Sequence, residues 1–175
     1  MPNNKHFKRQ YLLVFLISII LIFLSFYFRD ELASLGSWGL LGIFIINVVG
    51  SATLFLPAPS IAAVFAGGIV YSPITVAIIA GLGSAIGDMV GFVLGHSSKH
   101  IFLKKDSFWY KIFKETFHKF GPLFIIVFSF IPNPVFDAIG ILAGLFSYSP
   151  KKFFIYVLIG RFLRNLFLAY LGSAI

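Results

Sequence analysis

Six of the polar or charged side chains that stand within apolar stretches of the 175-residue chain are its candidates for chemistry. A charged side chain in hydrocarbon costs roughly 2.5 to 3.5 kcal/mol on insertion scales, so it must face a partner, water or a ligand. Guanidinium groups suit the oxygens of phosphate, while carboxylates can neutralise an empty site or carry protons. We therefore predict a phosphate-binding site formed by Arg161, Arg164, Asp137, Asn133, Asn165 and Asp88.

The same residues also fit a purely structural role. Arg161 and Arg164 are spaced i, i+3 and share one helix face. Two arginines with two aspartates balance in charge, which lowers the cost of burying all four. A salt-bridge network that only fixes the helices is therefore an alternative, and Asn133, between two prolines, suits the backbone of a turn better than a substrate.

Metal chemistry and catalysis are not expected. The four-residue spacing of His96 and His100 could suit a metal, but no carboxylate or cysteine stands nearby, so we interpret both as interfacial histidines and predict no metal site. The absence of cysteine excludes disulfides and thiolate ligands. No nucleophile and base stand together at membrane depth, and no nucleotide-binding motif is present, so we predict no catalytic residues, no cofactor and no enzyme.

The composition indicates a membrane protein. Hydrophobic residues make up 59% of the chain, charged residues only 11%, and 23 residues are Phe, which is more apolar surface than a soluble core of this length could hide. The net charge of +8 comes from residues clustered between apolar segments. That pattern is typical of loops that face anionic lipid, so we expect no binding to nucleic acid.

Closely spaced prolines interrupt two apolar segments. Residues 38–56 run into Pro57 and Pro59, and residues 121–131 run into Pro132 and Pro134. As a helix, residues 60–72 would be about 20 Å long against a hydrocarbon core of about 30 Å, and the limbs of the second segment are also too short. We predict two re-entrant hairpins that turn at these prolines, followed by transmembrane helices over residues 74–95 and 153–172.

The two hairpin units are copies of one another. The pattern Phe-x-Pro-x-Pro begins at Phe55 and recurs at Phe130, a shift of 75, while Tyr-Ser-Pro at residues 71–73 recurs at residues 148–150, a shift of 77. We therefore predict a domain over residues 38–175, with repeat one at 38–95, a basic segment at 96–120 and repeat two at 121–175. The basic segment has six lysines and apolar residues at helical spacing, which predicts an amphipathic helix in the membrane interface.

The distribution of positive charge predicts the topology. Residues 11–28 lack charge and follow Lys5, Lys8 and Arg9, so we predict a retained N-terminal transmembrane helix, with residues 1–37 as anchor and link, rather than a cleaved signal peptide. With the N-terminus in the cytoplasm, the loop lysines lie inside and only Arg29 lies outside. The hairpins then enter from opposite sides. The predicted fold class is an all-α membrane protein, an inverted repeat of re-entrant hairpin plus transmembrane helix, which is the usual architecture of membrane transporters.

Residues 131–144, I-P-N-P-V-F-D-A-I-G-I-L-A-G, resemble the VTT domain of the DedA superfamily, the SNARE-associated type, and are most similar to vacuole membrane protein type members. The P-A-P, A-G-G and G-S-A-I-G-D stretches of the first repeat look like the same domain. The resemblance implies paired re-entrant hairpins and lipid handling. Eukaryotic members are phospholipid scramblases, and bacterial members are linked to recycling of undecaprenyl phosphate and to proton-dependent transport.

The chain departs from the bacterial members at two places. Pro59-Ser60-Ile61 stands where many of them carry an acid after Pro-Gly, and Ser129, Asn133 and Val135 stand where they have Arg-x-x-Pro-Gly-x-Arg. These departures favour scrambling over proton-coupled transport.

We expect ATP-independent translocation of lipid, most simply phospholipid scrambling through a groove between the hairpins. The alternatives are a flippase for undecaprenyl or another polyisoprenyl phosphate, with proton coupling through Asp137 or Asp88, and a membrane scaffold without transport. The expected partners are membrane phospholipids or a polyisoprenyl phosphate, and self-association into a homo-oligomer is left open. The expected location is a bacterial plasma membrane, as an integral multi-pass protein.

Overall fold

The computed structural model describes residues 37–52, 58–102, 108–131 and 135–175, and every regular element in these ranges is a helix. The predicted N-terminal transmembrane helix and the turn residues Pro57, Pro132, Asn133 and Pro134 lie outside the described residues. In chain order the helices are α1 (Ser37–Ala52), α2 (Ala58–Val70), α3 (Pro73–Phe102), α4 (Phe108–Phe130), α5 (Val135–Leu145) and α6 (Pro150–Ser173).

Two of these helices, α3 and α6, are long and apolar enough to cross a membrane, over Pro73–Ser98 and Pro150–Ser173. Both begin at the proline of a Tyr-Ser-Pro sequence. Proline suits the first helical position because its missing N–H would have no partner there. The preceding serine carbonyl accepts the first turn's bond in both helices, from the Val76 N–H at 3.0 Å and from the Phe153 N–H at 2.9 Å. The two predicted spans are therefore confirmed, although α3 continues past Gly95.

The helices that follow the proline pairs are short. α2 has 13 residues and α5 has 11, which correspond to lengths of about 20 and 17 Å. α5 ends because Ser147 adopts a left-handed φ of 55°. That conformation turns the Ser147 and Tyr148 N–H groups back onto the carbonyls of Gly144 and Ala143, at 3.0 and 2.9 Å, a common way to end a helix.

α4 differs from the expectation of a separate interfacial helix followed by a short limb. It runs without interruption from Phe108 to Phe130, through the Gly121-Pro122 pair at which the sequence had suggested a boundary. A proline removes a single backbone donor, and a helix can continue past it when its other bonds hold. The predicted basic segment is thus divided, since its first residues continue α3 as far as Phe102.

The long helices α3 and α6 pack against each other at the centre, with α1 along α3 and α4 along α6. The short helices cross over: α2 packs on α6, and α5 packs on α3. Glycine allows both crossings to be close, because a Cβ on Gly68 would collide with the Ala169 carbonyl, and one on Gly172 would collide with the Phe65 carbonyl.

The second crossing repeats the first residue for residue. A Cβ on Gly144 would collide with the Phe92 carbonyl, and one on Gly95 would collide with the Ile141 carbonyl. A shift of 77 relates the α3 positions to those of α6, whereas a shift of 76 relates α2 to α5. The packing therefore matches Gly68 with Gly144, whereas the shift of 77 predicted from the Tyr-Ser-Pro segments would match Gly67 with Gly144.

Large apolar side chains cover the outside of this bundle. Ile45, Val49, Val93, Leu123 and Phe167 are 51 to 64% exposed, and many similar residues lie beside them on α1, α3, α4 and α6. A soluble monomer rarely exposes contiguous apolar patches on this scale. Together with the two spans, this surface confirms the predicted membrane protein.

Candidate functional site

Polar side chains are buried in the interior between the helices. Each is almost inaccessible in an otherwise apolar bundle, where an unsatisfied polar group is costly. They come from α1, α2, α3, α4 and α6, and they are Asn47, Ser60, Ser84, Asp88, Ser129, Arg161, Arg164 and Asn165.

A buried ion pair joins the two long helices. Arg161 of α6 donates from Nε to Asp88 Oδ2 at 2.7 Å and from Nη2 to Asp88 Oδ1 at 2.9 Å. This bidentate arrangement is the strongest geometry for a guanidinium and a carboxylate. The side chains are only 9% and 2% exposed. The pair therefore fixes the α3–α6 crossing, and Arg161 directs two of its nitrogens at Asp88.

α5 contributes an aromatic ring to the same place. The Phe136 ring is buried, and the Arg161 Cζ lies 4.7 Å from its centroid, within the range of a cation–π contact. Phe136 thus covers a guanidinium whose edge faces Asp88. The next residue, Asp137, belongs to the first turn of α5, and its side chain lies outside the described part of the structure.

Arg164 and Asn165 lie one turn beyond the ion pair. Arg164 is 4% exposed and Asn165 is 0% exposed. Arg164 is close enough to interact electrostatically with both Arg161 and Asp88. Among the described residues, no hydrogen-bond partner meets Arg164 Nε, Asn165 Nδ2 or Asn165 Oδ1. Two arginines with one described carboxylate leave an excess positive charge beside an unsatisfied amide.

The buried polar groups of α1 and α4 are, in contrast, hydrogen-bonded. Ser84 Oγ donates to Asn47 Oδ1 at 3.1 Å, and Asn47 Nδ2 donates to the Ile43 carbonyl at 2.9 Å. Ser129 Oγ donates to the Ile126 carbonyl at 3.0 Å. The Ser84–Asn47 bond joins α3 to α1, whereas the Ser129 bond lies within α4.

An apolar groove of about 280 Å³ lies on the outer side of the same crossing. Leu158 and Phe162 of α6 line it, and both are close in sequence to Arg161. The facing wall comes from Ile78 and Leu82 of α3. The groove places hydrocarbon-like surface next to the helix segment that bears the arginines.

Four of the six predicted site residues are buried in the interior of the bundle. Asp88 and Arg161 contact each other, Arg164 is beside them, and Asn165 follows Arg164 in α6. Asn133 and the side chain of Asp137 lie outside the described residues, so the predicted balance of two acids against two arginines stays a prediction. Within the described ranges, no group of three or more His, Asp or Glu side chains could hold a metal.

The sequence analysis did not select the other buried polar residues or the aromatic contact. Asn47 is the only polar side chain within the apolar run of α1 apart from its terminal serines, and that isolation was a usable signal. Ser84 and Ser129 carry no such signal, because small hydroxyl residues are common in membrane helices. Phe136 could have been noticed only through its position beside Asp137.

A comparison with models of protein families shows what this chain is similar to. A family model described as the VTT domain matches residues 56–174, about two thirds of the chain, a range that includes α2 to α6. Comparisons with curated proteins and with solved structures gave no match.

Proposed function

Because the chain belongs to the VTT-domain family of DedA-type membrane proteins, we propose that it moves lipid across the bilayer without ATP. The proposed activity is phospholipid scrambling, in which a polar headgroup crosses between the helices while its acyl chains stay in the hydrocarbon. The proposed site is the buried surface around Arg161, Arg164 and Asn165.

The observation that carries this proposal is the unsatisfied polar pair beside the ion pair. Arg164 Nε and the Asn165 amide are buried in an apolar bundle without partners among the described residues. Such groups are expensive to bury unless something completes their hydrogen bonds. Among the described residues, two arginines share one carboxylate, which favours an anion, and a guanidinium suits phosphate oxygens in particular. In a membrane, the most abundant molecule that fits is a phospholipid.

The acyl chains of that lipid have a place beside the site. The groove lined by Ile78, Leu82, Leu158 and Phe162 is apolar throughout and opens on the outer surface of the α3–α6 crossing. A headgroup that reaches Arg164 from this side would keep its tails against apolar side chains. This supports a path in which the polar and apolar parts of the lipid move in parallel.

The architecture that we propose for this path is the inverted repeat with two re-entrant hairpins. The two glycine crossings are related by nearly constant shifts along the chain, which supports the repeat. The 13-residue and 11-residue helices α2 and α5 are shorter than a hydrocarbon core, which supports re-entry. The charge distribution supports a cytoplasmic N-terminus and several membrane crossings. We propose a bacterial plasma membrane as the location.

Liposomes test the proposal directly. Purified protein is reconstituted with acyl-labelled fluorescent phospholipid in both leaflets, and a membrane-impermeant quencher is added. We expect loss of clearly more than about half of the fluorescence, because inner-leaflet lipid becomes accessible. Loss limited to about half, with and without an imposed proton gradient, would remove both transport functions and leave the membrane scaffold.

Arg164→Gln examines the site in the same assay. The change removes the positive charge, and because Arg161 rather than Arg164 holds Asp88, it leaves the ion pair in place. A charge-assisted hydrogen bond to the headgroup is expected to be lost, which slows translocation by about tenfold or more. Lys152→Gln, an exposed lysine on the same helix, is the matched control and should translocate like the unaltered protein. Equal rates for the two variants would contradict the assignment of the headgroup site.

A polyisoprenyl phosphate is the second candidate substrate, because its phosphate monoester carries more negative charge than a phosphodiester and would suit two neighbouring arginines. An unlabelled polyisoprenyl phosphate added to the liposomes should then slow movement of the fluorescent phospholipid. An effect confined to conditions with a proton gradient would favour the coupled flippase over the scramblase.

A further inference from the structure

The amide of Asn165 restricts which headgroup can complete the site. Its Oδ1 can accept two hydrogen bonds and its Nδ2 can donate two, and neither atom has a partner among the described residues. The side chain is fully buried, so bulk water does not reach it. A ligand that satisfies the amide must therefore bring both an acceptor and a donor.

A phosphate group alone provides only acceptors when it is a diester. Phosphate oxygens can accept from the guanidinium of Arg164 and from Asn165 Nδ2, but they leave Asn165 Oδ1 unsatisfied. A quaternary ammonium group such as choline has no N–H and cannot donate. An ammonium group, a hydroxyl group or a singly protonated phosphate monoester can donate.

The neighbouring ion pair makes Asn165 the discriminating residue. Asp88 is the described buried carboxylate next to the site, and each of its two oxygens already has a hydrogen-bond partner in Arg161. Asn47 Oδ1, the buried amide oxygen of the first half, already accepts from Ser84. Among the described buried side-chain atoms, Asn165 Oδ1 is the acceptor that has no hydrogen-bond partner at all.

From this pattern, and resting on the proposed function, we propose that Asn165 makes the site selective for phosphate headgroups that also carry an N–H or O–H donor. An ethanolamine or glycerol headgroup fits this description, and a choline headgroup does not. Arg164 recognises the phosphate that all of these lipids share, while Asn165 recognises the donor that only some of them have. A protonated polyisoprenyl phosphate presents the same combination.

The selectivity is measured as a ratio of translocation rates. Liposomes contain acyl-labelled phosphatidylethanolamine in one preparation and acyl-labelled phosphatidylcholine in another, so that only the headgroup differs. We expect the ethanolamine lipid to move about tenfold faster, because a choline headgroup leaves a buried acceptor without a partner. Asn165→Leu removes the acceptor and the donors together, so the ratio should fall to about one.

Asn165→Ser is the matched control, because a hydroxyl group can still donate and accept. It should keep most of the ethanolamine preference. A general loss of structure would slow both lipids equally and leave the ratio unchanged, and size-exclusion profiles of the variants identify misfolded protein. An unaltered protein that moves both lipids at the same rate, or an Asn165→Leu protein with an unchanged ratio, would overturn the proposal.

A binding measurement separates this proposal from the proposed function. Detergent-purified protein is incubated with equal amounts of the two lipids, and retained lipid is quantified by mass spectrometry. Ethanolamine lipid retained in an Asn165-dependent way, without translocation in liposomes, would support the headgroup selectivity and reject transport. Translocation without a headgroup preference in either assay would support transport and reject the headgroup selectivity.

A competition measurement distinguishes a glycerophospholipid from a polyisoprenyl phosphate as the ligand. Unlabelled polyisoprenyl phosphate, titrated into the liposomes, is expected to compete with the ethanolamine lipid only if it is also a substrate. Competition that disappears in Asn165→Leu would assign the donor to the phosphate monoester, and lack of competition would assign it to the glycerophospholipid headgroup.

Discussion

The two halves of the bundle share their backbone contacts but not their interior side chains. In each half a glycine of the short helix lies against a carbonyl of the opposite long helix, Gly68 against Ala169 and Gly144 against Phe92. At three aligned interior positions of the long helices, however, the residue types differ. The first half has Ser84, Gly87 and Asp88 where the second half has Arg161, Arg164 and Asn165.

The difference shows how one architecture can accommodate two kinds of interior. At Gly87 a Cβ would collide with the Val48 carbonyl, so in the first half the neighbouring helix α1 fills the space. At the aligned position of the second half, the long side chain of Arg164 is buried instead. The interior of the first half is filled by backbone packing and by polar groups that have partners. The second half contributes two arginines, whose positive charge could bind a ligand.

The largest effect should come from the buried ion pair that joins the two halves. Arg161→Leu leaves Asp88 buried without its partner, and Asp88→Leu does the same to Arg161. Breaking a buried pair from one side costs about 3–5 kcal/mol of folding free energy, so we expect each single variant to lose most of its folded yield. Thermal unfolding in detergent, followed by size exclusion, measures the loss.

The double variant Asp88→Leu with Arg161→Leu is the control for that prediction. Two apolar residues satisfy each other, so the double variant should recover most of the stability that each single change removes. Additive losses in the double variant would mean that the two halves are not held together by this pair.

The next effect concerns the shared backbone contacts. Gly68→Ala and Gly144→Ala each place a methyl group against a backbone carbonyl that cannot rotate away. Overpacking of this kind costs about 1–3 kcal/mol, and we expect similar losses in melting temperature for the two variants because the crossings are equivalent.

Gly42→Ala provides the matched comparison, because no heavy atom lies within 4 Å of the added Cβ. Alanine also has the higher helix propensity, so this variant should be neutral or slightly more stable. A large loss in only one of the two crossings would break the equivalence between the halves.

The sequence was sufficient to predict the two long helices and the fact that they correspond to each other. Tyr-Ser-Pro marks the start of α3 and α6 because proline at the first helical position is a local effect, readable from neighbouring residues. The register of the short helices was less accessible. Ala66-Gly67 and Ala143-Gly144 match by identity, but the close contact is made by Gly68, and only the position of the opposite helix decides which glycine faces it.

The residues of the site were largely predictable from the sequence, but the contacts between them were not. Spacing within α6 places Arg161 and Arg164 on one face, and the cost of burying charge predicts that they have partners. The sequence does not predict which acid pairs with which arginine. Asp88 and Arg161 are 73 residues apart, and they meet because the two long helices pack against each other. Whether the Asn165 amide has hydrogen-bond partners depends on the same tertiary geometry.

The smallest expected effect concerns a hydrogen bond within the first half. Ser84→Ala removes the hydrogen bond to Asn47 Oδ1, a neutral bond within that half, and should cost about 1 kcal/mol of stability. Ser98→Ala, on the same helix, removes a hydroxyl that donates to the Leu94 carbonyl near the surface and should change the melting temperature by less. Because neither serine lies in the charged half, both variants should keep the lipid translocation rate and the headgroup preference of the unaltered protein. A Ser84→Ala protein that folds normally but loses translocation would place part of the lipid path in the first half, and the division into a structural half and a binding half would no longer hold.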